Sequence, residues 1–253
     1  QKRSIAIPQI DIIECAIQSL GLNDVTEFNI EKKVIEYAVK DKQRNLISMK
    51  GKDFINELSR NSPAPGGGSV SALIGSLGAS LGSMVSSLSY EKKELFKNRS
   101  ILNKIGIETQ ILKDKLAWLV DEDTIAFNKV IKANRLPGLT EKDKKLKNKE
   151  ILNANKYALE VPLDTAKHCL KVLEIINRLI NYCNLNSISD LGVAAEASLA
   201  GVRGACMNVL INTSSIKDDK YCIEKHEEVD QLLHDAGEKH SLIFNNIMSS
   251  LRS

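Results

Sequence analysis

Hydrophobic positions recur at steps of three and four along most of the chain, a period that predicts helices. Residues 9 to 21 place Ile10, Ile13, Ala16, Ile17 and Leu20 at this spacing and stop at Gly21, as a short amphipathic helix with a glycine end would. Val34 to Val39 suits a strand. One helix and one strand cannot cover each other's apolar faces, so residues 1–39 are read as the remnant of another domain. Residues 40–51 are mostly polar and read as a linker.

From residue 52 to 253 the period is helical throughout, which predicts an all-α, multi-helix bundle with long central helices. After the turn Ser62-Pro63-Ala64-Pro65-Gly66-Gly67-Gly68-Ser69, one long helix carries Val70, Leu73, Ile74, Leu77, Leu81, Met84, Val85 and Leu88 as an apolar stripe for the core. Its other positions are small, and Gly78-x-x-x-Gly82 permits close backbone approach. Serines interrupt every apolar run that would have to reach about 18 residues, so a buried central helix is favoured over a membrane span. Further helices are expected over 101–134, ending at Leu136-Pro137-Gly138, and over 149–160, with the charge run 141–149 as a solvated lead-in. Others follow over 162–181 with Pro162 in the first turn, from Asp190 to Asn212, and from Cys222 to Leu251.

Composition changes this picture little. Of 253 residues, 43% are apolar and only 4% aromatic, which excludes disorder and leans away from strands. Thirty-five basic against 32 acidic residues leave +3, too balanced for a general nucleic-acid footprint. Five cysteines without a C-x-x-C pair fit neither a disulfide framework nor a zinc cluster and suggest a reducing, cytoplasmic setting. The chain opens Gln1-Lys2-Arg3 without a methionine or a secretory h-region, as a piece of a longer product would.

Three features could carry chemistry. Gly66, Gly67, Gly68 and Ser69 open a helix with unobstructed N–H groups at its positive end, so the turn is either a cradle for a polar ligand or a tight start capped by Ser69. It lacks the spacing of a phosphate-binding P-loop. Asp123 occupies an apolar register, Leu112, Leu116, Leu119, Asp123, Phe127, Val130, where burial raises a carboxyl pKa toward that of a general acid. Pairing with a cation or capping of a neighbouring helix would explain it equally. Asp121 lies two positions off the stripe and is expected to be more exposed. A third stripe, Asp190, Ala194, Ala197, Gly201, Gly204, Asn208 and Asn212, forms a groove for a helix or a flat ligand. Within it Asp190 and Asn208 are 18 residues or roughly 27 Å apart, too far for one site. Asp190 also suits a helix N-terminus, and Asn208 and Asn212 could hold amide or pterin-like ring edges or bond across a helix interface. His168 beside Cys169 reads as filler, and no metal site is argued from the four histidines.

Pro63-Ala64-Pro65-Gly66-Gly67-Gly68-Ser69-Val70-Ser71-Ala72 and Leu77-Gly78-Ala79-Ser80-Leu81-Gly82-Ser83-Met84-Val85 resemble the signature of the formimidoyltetrahydrofolate cyclodeaminase family. Asp121-Glu122-Asp123-Thr124, Val161-Pro162-Leu163, Ser189-Asp190-Leu191-Gly192 and Asn208-Val209-Leu210-Ile211-Asn212 extend the resemblance over about residues 52 to 250. Ile12-Ile13-Glu14, Leu20-Gly21-Leu22 and Val34-Ile35-Glu36-Tyr37 resemble the end of the formimidoyltransferase half of the bifunctional enzymes, an α/β domain. One departure stands out: Tyr90-Glu91-Lys92-Lys93 replaces the family's Gly-Lys or Gly-Arg pair.

The resemblance implies a helical homodimer, or a larger ring-like oligomer, acting on a folate with or without a polyglutamate tail. It implies ring closure of 5-formimidoyltetrahydrofolate to 5,10-methenyltetrahydrofolate with loss of ammonia, in histidine breakdown. No cofactor beyond the tetrahydrofolate substrate, no nucleic acid and no membrane is implied. Asp123 would be the proton donor with Asp121 as fallback, the Gly66–Ser69 turn would orient the folate, and Asp190, Asn208 and Asn212 would contribute polar contacts. The alternatives are a methenyltetrahydrofolate cyclohydrolase and a non-catalytic helical oligomerisation module.

Overall fold

The computed structural model describes residues 7–24, 26–38 and 46–252. Among them the regular elements are all helical. Helix α1 spans Gln9–Ser19, and the chain leaves it at Gly21 with φ +64°, as the glycine stop requires. Helices α2, Ile30–Lys33, and α3, Ile35–Ala38, pack on each other. The expected strand is therefore absent from residues 34–38, and Val39 lies outside the described residues. An isolated strand has no partner to accept its backbone bonds, whereas a helical turn closes its own. Linker residues 40–45 also lie outside the described residues. Residues 46–50 are not a free tether, because Leu46 and Met49 pack against the core of the bundle.

The bundle follows. Helix α4 spans Gly51–Leu58, α5 Gly67–Glu91, α6 Arg99–Asn134, α7 Glu141–Leu179, α8 Ile188–Thr213 and α9 Asp219–Arg252. Helix α5 is central and packs against α6, α7 and α8, while α9 covers α7 and α8. By length and composition α5 could cross a membrane; here three helices of the same chain enclose it.

Two expectations are reversed. The large apolar residues of α5 do not all face inward: Leu77 is 54% exposed, with Met84 and Leu88 also exposed, while Ala72, Gly75, Ala79, Gly82 and Ser86 are buried. Helices that approach on three sides need short side chains between their backbones, so the bulky ones are left on the fourth face. A Cβ added at Gly78 would lie 2.9 Å from the Ala194 carbonyl oxygen of α8, and one at Gly201 would lie 2.7 Å from Sγ of Cys169 in α7. The groove of α8 thus receives a helix of its own chain.

The second reversal concerns α7, expected as two helices broken near Pro162 and found as one. Thr140 and Asp143 form a reciprocal capping box at its start, so the charge run 141–149 is already helical. Proline removes the N–H that would bond the carbonyl of Ala158. Nδ2 of Asn212, on α8, donates to that carbonyl at 2.8 Å and lets the helix continue.

Candidate active site

The first turn of α5, the middle of α6, the middle of α7 and the end of α8 converge on a cavity of about 290 Å³. Gly66, Gly67 and Gly68 form one wall, Asp123, Phe127 and Val130 a second, and Asn155, Asn208 and Asn212 a third. The glycine turn, the acidic helix and the asparagine pair of the sequence analysis are thus brought together.

Among the described residues Asp123 is held through one oxygen only. Its Oδ2 accepts from the Ser69 backbone N–H at 2.9 Å and the Ser69 hydroxyl at 3.0 Å. Burial pushes its carboxyl above the ordinary carboxylate range, and the two Ser69 donors draw it part of the way back. With Oδ2 occupied as a double acceptor, a proton on this carboxyl resides on Oδ1. That oxygen lies against Gly68, where a Cβ would come within 2.1 Å of it, so only glycine leaves the space. At the first two positions of α5, the N–H groups of Gly67 and Gly68 have no intrahelical acceptor and lie at the positive end of the helix. A polarised carboxyl, two open donors and a set of amides in one recess can orient a polar ring and protonate a group leaving it.

Three predicted residues do not line the cavity, and the first, Ser69, is fully buried with its hydroxyl spent on Asp123. Asp121 is 2% exposed, not the more exposed of the pair, and its Oδ1 accepts from the Leu46 N–H at 2.8 Å. It fastens the segment ahead of α4 to α6 and does not line the cavity. Asp190 sits in the first turn of α8, at the far end from Asn208, and also lies outside the cavity. His168 bonds Asp164 one turn before it, and among the described residues no group of three metal-ligating side chains gathers. The Tyr90 departure is at the opposite end of α5, where Arg99 stacks on the Tyr90 and Phe96 rings, so it leaves this cavity untouched.

Asn155 lines the cavity and was missed by sequence reasoning. Its signal was available: it interrupts the apolar register of Leu152, Leu159 and Leu163 in α7, as Asp123 interrupts that of α6. Glu122 was missed too. It is 3% exposed and accepts from the Tyr157 hydroxyl, tying α6 to α7.

The chain has named relatives. Residues 50–231 match the family Formiminotransferase-cyclodeaminase. The formimidoyltransferase-cyclodeaminase of Mus musculus is 31% identical over 93% of this chain, and that of Gallus gallus 33% over 91%. The chain spans 44% and 43% of their respective lengths. A methenyltetrahydrofolate cyclohydrolase of Methylorubrum extorquens is 32% identical over 78% of this chain and 95% of its own. The crystal structure of a formiminotetrahydrofolate cyclodeaminase from Thermotoga maritima superposes with a TM-score of 0.72 at 25% identity, over 80% of this chain and 98% of that one.

Proposed function

Because this chain belongs to the formiminotransferase-cyclodeaminase family, we propose that it closes the ring of 5-formimidoyltetrahydrofolate to 5,10-methenyltetrahydrofolate with release of ammonia. N10 of the folate attacks the formimidoyl carbon, and the resulting tetrahedral centre collapses with cleavage of its bond to the terminal nitrogen. That nitrogen takes the proton given up by N10 and one more from the acid and leaves as ammonia, and the methenyl bridge between N5 and N10 remains. Asp123 supplies the proton from Oδ1, and the N–H groups of Gly67 and Gly68 hold an acceptor of the substrate beside it.

One observation carries this reading: a carboxyl with a raised pKa, pinned through one oxygen, faces the same recess as the glycine turn and the asparagines. A cavity of about 290 Å³ suits a bicyclic ring, with the rest of a folate extending outward. No cofactor beyond the folate is invoked. The setting that goes with this chemistry is cytoplasmic histidine breakdown, with which five unpaired thiols are compatible. The exposed apolar stripe Leu77, Met84 and Leu88 of α5 supports a homodimer formed across that face, within a larger assembly where a transferase domain is attached.

A second reading is favoured by the cyclohydrolase match: the same carboxyl would assist hydrolytic opening of 5,10-methenyltetrahydrofolate. The match to the mouse enzyme over 237 residues takes in most of the N-terminal fifty, whereas the cyclohydrolase match covers 198, which supports ring closure over ring opening. A purely oligomerising role loses its motive, since the small residues of α8 are engaged by α5 of the same chain. Turnover of each folate, followed in parallel by ammonia release and by methenyl absorbance, tests the proposal. Ammonia-releasing cyclisation is expected. Turnover of the methenyl substrate alone would replace it by the hydrolase, and turnover of neither by a folded protein would remove both.

A further inference from the structure

The three asparagines of the cavity share an arrangement that their positions in sequence do not reveal. Nδ2 of Asn155 donates to the Ser215 carbonyl, Nδ2 of Asn208 to the Gly204 carbonyl and Nδ2 of Asn212 to the Ala158 carbonyl, each at 2.8 Å. A backbone carbonyl only accepts, so none of the amides can be turned over without setting oxygen against oxygen. All three therefore point the same chemical group, Oδ1, away from the backbone. Among the described residues these oxygens accept no hydrogen bond, and the sole sealed, unpartnered side-chain polar atom is Oδ1 of Asn103, at another place. The Asn155, Asn208 and Asn212 oxygens are not sealed in, and all three residues line the cavity.

We infer that Asn155, Asn208 and Asn212 form a wall of orientation-locked acceptors that selects a ring by its N–H donors, namely the 2-amino and N3–H edge of the substrate's 2-amino-4-oxopyrimidine. Pro162 is a positioning residue for this wall: by vacating the Ala158 carbonyl it gives the Asn212 amide nitrogen its partner and so fixes where Oδ1 points. The opposite wall completes the match, since the Gly67 and Gly68 N–H groups provide donors for a ring acceptor. The inference rests on the folate reading above but concerns the edge by which the ring is recognised, which that reading leaves open.

The test is equilibrium binding of 5-formyltetrahydrofolate, a stable analogue of the substrate, and of its 2-desamino-2-methyl counterpart, to the full chain. The unmodified protein is expected to prefer the amino compound by about ten- to a hundredfold, since a site built for donors rejects a ring that lacks them. Asn155→Ala, Asn208→Ala and Asn212→Ala are expected to erase most of that preference, together or at the one position that meets the amino group. Pro162→Ala alters no side chain of the wall and favours the helix. It is expected to keep the fold by circular dichroism and to lower the preference by freeing Asn212. Equal binding of both compounds by the unmodified protein, or an unchanged preference in all four variants, would overturn the wall and leave the folate reading intact. Binding of neither compound would overturn the folate reading and the wall with it.

Discussion

A methyl group added at Gly68 would lie 2.1 Å from Oδ1 of Asp123, a separation no pair of such atoms can hold. The carboxyl cannot simply swing aside, because Ser69 grips its other oxygen twice. Gly68→Ala is thus expected to displace the proton donor and lower turnover by about a hundredfold, with a stability loss of about 1–3 kcal/mol. Gly237→Ala is the control, since nothing lies within 4 Å of a Cβ added there and α9 contributes no residue to the cavity. Steady-state ammonia release and thermal denaturation of both variants check the pair.

Asp123→Asn keeps the shape and both Ser69 bonds but removes the proton. Turnover should fall by about 10²- to 10⁴-fold. In the unmodified protein the folded state holds this proton more tightly than the unfolded chain does, because burial raises its pKa. Its contribution to stability is therefore fully present below the ordinary carboxylate range and is lost as pH rises through the raised value. Thermal denaturation of the Asn variant should accordingly show a smaller loss of stability between acid and neutral pH, and the fall of kcat with rising pH assigned to this group should vanish. An unchanged kcat profile would remove Asp123 from the mechanism.

Asp121→Ala should behave in the opposite way. It leaves the Leu46 N–H without its acceptor in a buried setting, for a loss of roughly 1–3 kcal/mol in denaturant unfolding. Turnover per folded molecule should stay near that of the unmodified protein, measured well below the melting temperature.

The large side chains on the outer face of α5 give a fourth expectation. Leu77→Lys replaces a side chain that is 54% exposed, so within one subunit it should shift stability by no more than about 0.5 kcal/mol. If that face joins two copies, analytical ultracentrifugation should show the dimer giving way to monomer. A dimer of unchanged strength would place the interface elsewhere.

Helical period alone located α1, α5, α6, α8 and α9 and the two halves of α7, and a carboxylate in an apolar register singled out Asp123. What the period could not convey was distance between axes. On α5 hydrophobicity pointed Leu77 inward, yet proximity of α6, α7 and α8 reserved the interior for Gly75, Ala79 and Gly82. Pro162 misled for a related reason, because the group that relieves it, Asn212, is fifty residues away in the chain. Asp121 was judged by its register on α6 alone, and the segment at Leu46 that buries it could not be foreseen. Local rules describe a helix in isolation; these exceptions all come from partners remote in sequence.

The slot between Gly75 and Gly201 also gives Cys169 a use in measurement. Its Sγ sits 2.3 and 2.7 Å from where those two glycines would carry a Cβ, it is fully buried, and burial pushes its thiol pKa up to about 12. A thiol so confined and so seldom ionised is invisible to an alkylating reagent until α5, α7 and α8 part. The rate at which Cys169 becomes labelled is then a clock for the opening of the bundle, readable in native buffer by mass spectrometry.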